Sequence, residues 1–302
     1  MNHEGFVEWA GYKTWFTSFG ESLDDRLPLL VAHGGPGMTH DYLLPLKDLA
    51  DAGRRVVFYD QLGNGNSTHL PEKKNDDGFW TPALFLTELG EVIEYLGFGG
   101  GMHFLGQSWG GMLGIEYAVR RPEELVSLIL ADSPSSMSTW VAELGKLRRA
   151  LPADIRRVLD ECETVGATDT LEYAEATLAF YRRHLCRLDP WPDGMQKTYD
   201  LATKFPTVYG TMIGPSEFNV TGSLRSWDMD DQLSWISVPT LVLHGEFDEA
   251  TDEVVRASRE RIPSVEYRKI PEASHTPHLE NPEATMPVLA DFLERHDRGQ
   301  QH

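Results

Sequence analysis

The sequence predicts a mostly parallel β-sheet covered on both faces by helices, with a block of helices inserted late in the sheet. Three observations carry this expectation. Short, largely apolar runs recur at 28–32, 55–59, 102–105, 125–130 and 239–244, separated by stretches of helical period, as strands buried on both faces do. From about 135 to 233 no such run occurs, whereas Leu144, Leu147, Leu151, Ile155, Leu159, Leu171, Ala174, Leu178, Tyr181 and Leu185 fall at helical spacing. Between one apolar run and a helix-like stretch stands Gly106-Gln107-Ser108-Trp109-Gly110, a pattern suited to a sharp strand-to-helix turn.

The elements follow in order. Residues 6–19 alternate polar and apolar around Ala10-Gly11, as an antiparallel hairpin does. The strand at 28–32 runs into His33-Gly34-Gly35-Pro36-Gly37, and residues 40–52 read as helix. The strand at 55–59 leads into Asp60-Gln61-Leu62-Gly63-Asn64-Gly65-Asn66-Ser67, which lacks the lysine of a phosphate loop and the spacing of a dinucleotide fingerprint, and so reads as a plain turn. Helix 82–96 carries an apolar stripe of Leu86, Leu89, Val92, Ile93 and Leu96. The elbow strand, its helix and the strand at 125–130 continue the alternation that gives a parallel sheet. Residues 135–233, broken by Pro190-Trp191-Pro192, Phe205-Pro206 and Gly214-Pro215, are expected to form a helical cap on a core of 1–134 and 234–302. Its aromatic residues Trp140, Trp191, Tyr209 and Trp227 are expected to pack, with lining a pocket as the alternative. Strands at 239–244 and 265–270 and helices at 252–261 and 282–295 complete the core, and the polar tail from Asp297 is expected to fray.

Charge narrows the partners. Lys plus Arg is 27 against 47 for Asp plus Glu, a net charge of −20, which repels nucleic acid. The arginine pairs 54–55, 148–149, 156–157 and 182–183 are dispersed among acids, so they read as solvated helix faces. No segment reaches the length of a membrane span and the first residues lack a signal-peptide pattern, so a cytoplasmic, membrane-free protein is expected. Cys162 and Cys186 stand alone in helix-like surroundings and read as reduced structural thiols. No metal site is expected: there is no His-Glu-x-x-His, and Asp228, Asp230 and Asp231 lack the glycine and distal glutamate of a calcium loop.

The chemistry starts at Ser108. A hydroxyl is a poor nucleophile near neutral pH until a histidine takes its proton and a carboxylate orients that histidine. In the α/β-hydrolase arrangement the three follow in the order Ser, Asp, His, each on a loop leaving a strand. Asp248 follows the strand ending at His244, and His275 follows the strand ending at Ile270. Asp252 and His278 are the rivals, read respectively as a cap of the next helix and as a packed or surface histidine. The oxyanion would be held by the N–H of Trp109, at a helix start, and by a glycine N–H of the 33–37 loop, with Gly35 the candidate. Loss of one such donor costs about 3 kcal/mol of transition-state stabilisation.

Three motifs taken together, His33-Gly34-Gly35-Pro36-Gly37, Asp60-Gln61-Leu62-Gly63-Asn64-Gly65-Asn66-Ser67 and Gly106-Gln107-Ser108-Trp109-Gly110-Gly111, resemble the proline iminopeptidase family of α/β-hydrolases. Within it the chain is similar to bacterial L-amino acid amidases acting on prolinamide. The likeness extends to the lid segments Pro190-Trp191-Pro192 and Gly214-Pro215-Ser216-Glu217-Phe218. It implies removal of an N-terminal residue, often proline, from a short peptide, or hydrolysis of a small amino acid amide, without metal or cofactor. It also implies that Glu217 and Glu249 hold the substrate's free α-ammonium, since glutamates at those two places do so in the family. A desolvated ammonium does need paired anionic acceptors, although Glu249 by itself also reads as a solvated acid at a helix start. Whether the leaving group is a peptide, ammonia or a metabolite conjugate stays open. The alternatives are a carboxylic esterase or an acyl-transfer or trimming hydrolase of a biosynthetic pathway using the same three residues, and a binding protein that keeps the fold as a receptor.

Overall fold

The computed structural model describes residues 3–23 and 26–297. Eight strands form one sheet in the order β1-β2-β4-β3-β5-β6-β7-β8. The hairpin β1 (His3–Trp9) and β2 (Tyr12–Phe19) is antiparallel and sits at one edge. Its turn has φ of 47° at Ala10 and 87° at Gly11, positive at both positions as a tight two-residue hairpin requires. β2 also pairs antiparallel with β4 (Val56–Asp60), and the rest of the sheet is parallel: β3 (Leu29–Ala32), β5 (Met102–Gln107), β6 (Leu125–Ala131), β7 (Thr240–Gly245) and β8 (Val265–Ile270). β3, β4, β5 and β7 are buried along their whole length, which is why they read as apolar runs rather than alternating ones.

Local signals set the helix ends. α1 (Pro82–Leu96) begins with the Thr81 side chain accepting from the Leu84 N–H and ends on Gly97 at φ 73°, a side-chain N-cap and a left-handed C-terminal glycine. α2 (Trp109–Ala118) follows β5 directly. Between β6 and β7 lie α3 (Met137–Arg149), α4 (Ala153–Val165), α5 (Leu171–His184), α6 (Asp193–Lys204) and α7 (Thr207–Met212), with short 3₁₀ turns and no strand. After β7 come α8 (Arg256–Arg261), α9 (Pro277–Glu280) and α10 (Pro282–Arg295). None of the helices among the described residues is long and apolar enough to cross a membrane. Cys162 and Cys186 are free and buried.

Residues His40–Ala52 are helical as expected, in the 3₁₀ form and with Pro45 inside, where the ring removes a backbone donor. Two expectations need correction. α8 starts at Arg256 rather than 252, because Asp252 turns its carboxylate to Tyr267 Oη at 2.9 Å and Lys269 Nζ at 2.7 Å on β8 instead of capping a helix. Asp297 does not fray: it is 8% exposed and takes a two-pronged ion pair from Arg54 at 2.9 and 2.9 Å, with Arg26 at 2.8 Å, the Leu27 N–H at 3.0 Å and His103 at 3.1 Å. The tail beyond it lies outside the described residues.

Candidate active site

Parallel strands deliver their following loops to one edge of the sheet, and the predicted reacting groups all lie there. Ser108 leaves β5 with φ 53° and ψ −118°, a backbone state that costs a non-glycine residue about 1–3 kcal/mol. Gly106 makes the turn possible, since a Cβ there would stand 2.1 Å from the Gly110 carbonyl oxygen, and one on Gly110 would stand 2.2 Å from that of Ala32. The turn is tied from behind by the Ser133 hydroxyl, which donates to the Ser108 carbonyl at 2.9 Å.

His275, in the loop after β8, places Nδ1 2.6 Å from Asp248 Oδ1, and that oxygen also accepts the Ala250 N–H at 2.7 Å. Burial opposes the charge on Asp248, but His275 beside it, by charge and by hydrogen bond, outweighs burial and holds the carboxyl below its ordinary value. The rivals are placed elsewhere. His278 points Nε2 at the Tyr42 carbonyl at 2.9 Å, and burial pushes it down to about 4; Asp252 faces β8.

Ser108, His275, Gly35, Glu217 and Glu249 line one small cavity of about 20 Å³. Met38, Leu185 and Glu217 separate it from a chamber of about 560 Å³ among α5, α6 and α7, where Tyr173, Tyr181, Tyr199 and Tyr209 stand. Glu217 accepts the Tyr209 hydroxyl at 3.0 Å, and burial, against that bond, pushes its carboxyl up to about 7. Glu249 is fully buried with neither carboxylate oxygen bonded. Burial first, then the charges of Glu217 and Asp248, raises it well above a usual carboxyl. Of the aromatic residues of the inserted segment, Trp140 packs its ring 5.9 Å from that of His275 and donates Nε1–H to the Glu217 carbonyl at 3.0 Å, while Tyr209 lines the chamber. Trp191 and Trp227 donate to Cys186 O and Glu116 Oε1.

Several positioning residues escaped sequence reasoning. Tyr42 accepts the Gly34 N–H at 2.8 Å and donates to Gln107 Oε1, while Gln107 Nε2 donates to the His275 carbonyl at 3.0 Å. One chain of bonds therefore joins the 33–37 loop, the elbow and the histidine loop. Gln61, read as part of a plain turn, accepts from Trp109 Nε1–H at 2.8 Å and donates to the His33 carbonyl at 2.9 Å. A glutamine directly after a buried strand was the available signal. The His184 carbonyl, at the end of α5, accepts from the N–H of both Glu249 and His275 at 3.3 Å. Gly35 has φ 113°, and a Cβ there would lie 2.3 Å from the Gly37 nitrogen. Among the described residues, Asp132, Asp248 and His275 are the one set of ligand-type side chains close enough to share a metal ion. The Nδ1 of that histidine is already engaged by Asp248.

Residues 28–282 match the alpha/beta hydrolase fold family. A proline iminopeptidase of Thermoplasma volcanium is 36% identical over 296 residues, 97% of each chain. The chain belongs to the proline iminopeptidase family of α/β-hydrolases. It is a hydrolase by that membership. Among solved structures it is similar to VinJ (46% identity, TM-score 0.94, covering 97% of this chain and 99% of that one). It is also similar to a proline iminopeptidase of Mycobacterium smegmatis (44%, TM-score 0.90, 98% and 99%).

Proposed function

We propose that the protein is a serine hydrolase that cleaves the amide bond after an amino acid whose α-amine is free, through an acyl-enzyme on Ser108. The observation that carries this reading is the pair Glu217 and Glu249. Both are buried beside Ser108 and His275, and neither carboxylate oxygen of Glu249 has a hydrogen-bond partner among the described residues. Two buried acids that form no ion pair with a lysine or arginine among the described residues, His275 Nε2 standing 3.8 Å from Glu249 Oε1, are costly, and a bound α-ammonium, with its N–H donors, supplies what they lack.

In this reading His275 takes the Ser108 proton, Asp248 holds the ring and stabilises its cation, and the scissile carbonyl oxygen goes to the N–H groups of Trp109 and Gly35. Gly34 is not the second donor, because its N–H is held by Tyr42. Residues 135–233 act as a cap that brings Glu217 over the core. The substrate is a small amino acid amide or a short peptide, of the proline iminopeptidase or L-amino acid amidase type; the names of the relatives support the first of these.

The test is hydrolysis of prolinamide, alaninamide and prolyl-β-naphthylamide beside their N-acetylated forms, by the wild type and by Ser108→Ala and Glu217→Gln. Turnover confined to the free amines, absent in Ser108→Ala and lost in Glu217→Gln, is the expected result. Turnover of the acetylated forms at a similar rate would overturn the reading in favour of an esterase-like hydrolase. The fastest leaving group among the three narrows the subtype.

A further inference from the structure

Asp132 ends the parallel strand β6 in a left-handed conformation, φ 55°, with its side chain fully buried. Neither of its carboxylate oxygens has a well-formed hydrogen bond, the Gly245 N–H offering only a weak one, and Asp248 Oδ2, the oxygen that does not meet His275, has none. Yet Asp132, Asp248 and His275 bring one polar atom each within 4.8 Å of one another. Two neighbouring buried carboxyl groups with no well-placed donor between them are an arrangement proteins avoid. One proton resolves it, since a protonated carboxyl is a donor and an ionised one is not.

We propose that Asp132 is a positioning residue for His275: it stays protonated and donates its hydrogen bond to Asp248 Oδ2, fixing the carboxylate whose other oxygen faces the histidine. The surroundings favour the proton on Asp132 rather than on Asp248. Asp248 has His275 and the Ala250 N–H to stabilise its charge, whereas Asp132 meets burial first and then the charge of Asp248, both of which raise it. The other titratable groups around Asp132 do not reverse this. Glu280 on α9 adds to the rise, Tyr42 is a neutral phenol, and His278, across a small void from Asp132, is kept neutral by burial. The same β6 loop supplies Ser133, which holds the Ser108 carbonyl, so a single turn braces both the nucleophile and the acid.

This inference rests on the serine hydrolase reading above. Its test compares Asp132→Asn, which keeps an N–H donor and tolerates the left-handed backbone, with Asp132→Ala, which removes the donor. Asp132→Asn is expected to keep kcat within about threefold. Asp132→Ala is expected to lose at least about tenfold in kcat at unchanged KM, the size of one lost hydrogen bond to a charged group, and to move the acid limb of kcat/KM to higher pH as Asp248 becomes more basic. A merely structural role would lower the melting temperature and leave the limb in place, and that result overturns the proposal. So does an Asn variant as impaired as Ala, which would mean that the charge of Asp132 matters and not its proton. The pH dependence of Ser108 labelling by a fluorophosphonate reads the same limb without any amide substrate. A shifted limb there with no amide turnover by the wild type would refute the substrate assignment and leave the role of Asp132 standing.

Discussion

Tyr209, from α7, donates its hydroxyl to Glu217 Oε1 at 3.0 Å, the one hydrogen bond that steadies the charge of a carboxylate otherwise surrounded by burial. Because that bond favours the ionised form, losing it leaves more Glu217 neutral near pH 7. Tyr209→Phe is therefore expected to raise KM for free-amine substrates by about three- to tenfold, one neutral-to-charged hydrogen bond, with little change in kcat. Steady-state kinetics on prolinamide checks this. A fall in kcat at unchanged KM would show that Tyr209 acts on the reaction rather than on the ammonium.

A pH dependence follows from the same acid. Burial raises the Glu217 carboxyl to about 7, so it is neutral below that pH and anionic above it. Only the anion attracts an ammonium. Affinity for a cationic amine should therefore improve as pH rises through about 7 and then level off. Pyrrolidine, which stays a cation between about pH 5 and about 9 as other alkylammonium groups do, isolates this effect as a competitive inhibitor. Its inhibition constant is expected to fall by up to about tenfold per pH unit below 7, and Glu217→Gln should remove the part of the dependence centred near 7, leaving that of Glu249. A flat profile in the wild type would remove Glu217 from the ammonium site.

Much of this arrangement was legible because parallel sheets write themselves plainly. Strands buried on both faces read as apolar runs, and loops leaving their carboxyl ends share an edge, so the order Ser108, Asp248, His275 was enough to place those residues together. What escaped notice depends on side chains meeting across long sequence distances. Tyr42 bridges Gly34 and Gln107 without any local pattern that distinguishes a brace from an ordinary helix residue, and Gln61, which reaches Trp109, is marked only by its place directly after a buried strand. Asp132 carries no local signal in the sequence, since its role depends on Asp248, more than a hundred residues later. The 3₁₀ form of His40–Ala52 is likewise invisible to periodicity, and an internal proline alone does not explain it, since α10 stays α-helical with Pro287 inside.

Asp297 is the sharpest departure from expectation, and it leads to a stability prediction. Polar residues near a chain end usually fray, but this carboxylate closes a buried site against Arg54, itself 2% exposed. Burial opposes its charge, yet His103, Arg54 and Arg26, with the Leu27 N–H, outweigh burial and hold it well below an ordinary aspartate. Removing one partner of a buried pair leaves the other uncompensated and costs about 3 kcal/mol. Asp297→Ala is thus expected to lower the melting temperature at pH 7 by about 6 °C for a chain of this size. A depressed carboxyl contributes stability above its unfolded value, about 3.9, and loses that contribution as pH falls towards the folded value. The gap between wild type and Asp297→Ala should therefore narrow steadily below about pH 4. Replacing both partners by apolar residues, as in Arg54→Met with Asp297→Leu, should recover part of the loss, because no charge is then left buried. Thermal melts of the wild type and the two variants from neutral to acid pH decide it. An Asp297→Ala melt within about 1 °C of wild type at pH 7 would mean that the end of α10 is held by its apolar face, Leu289, Phe292 and Leu293, and not by the ion pair.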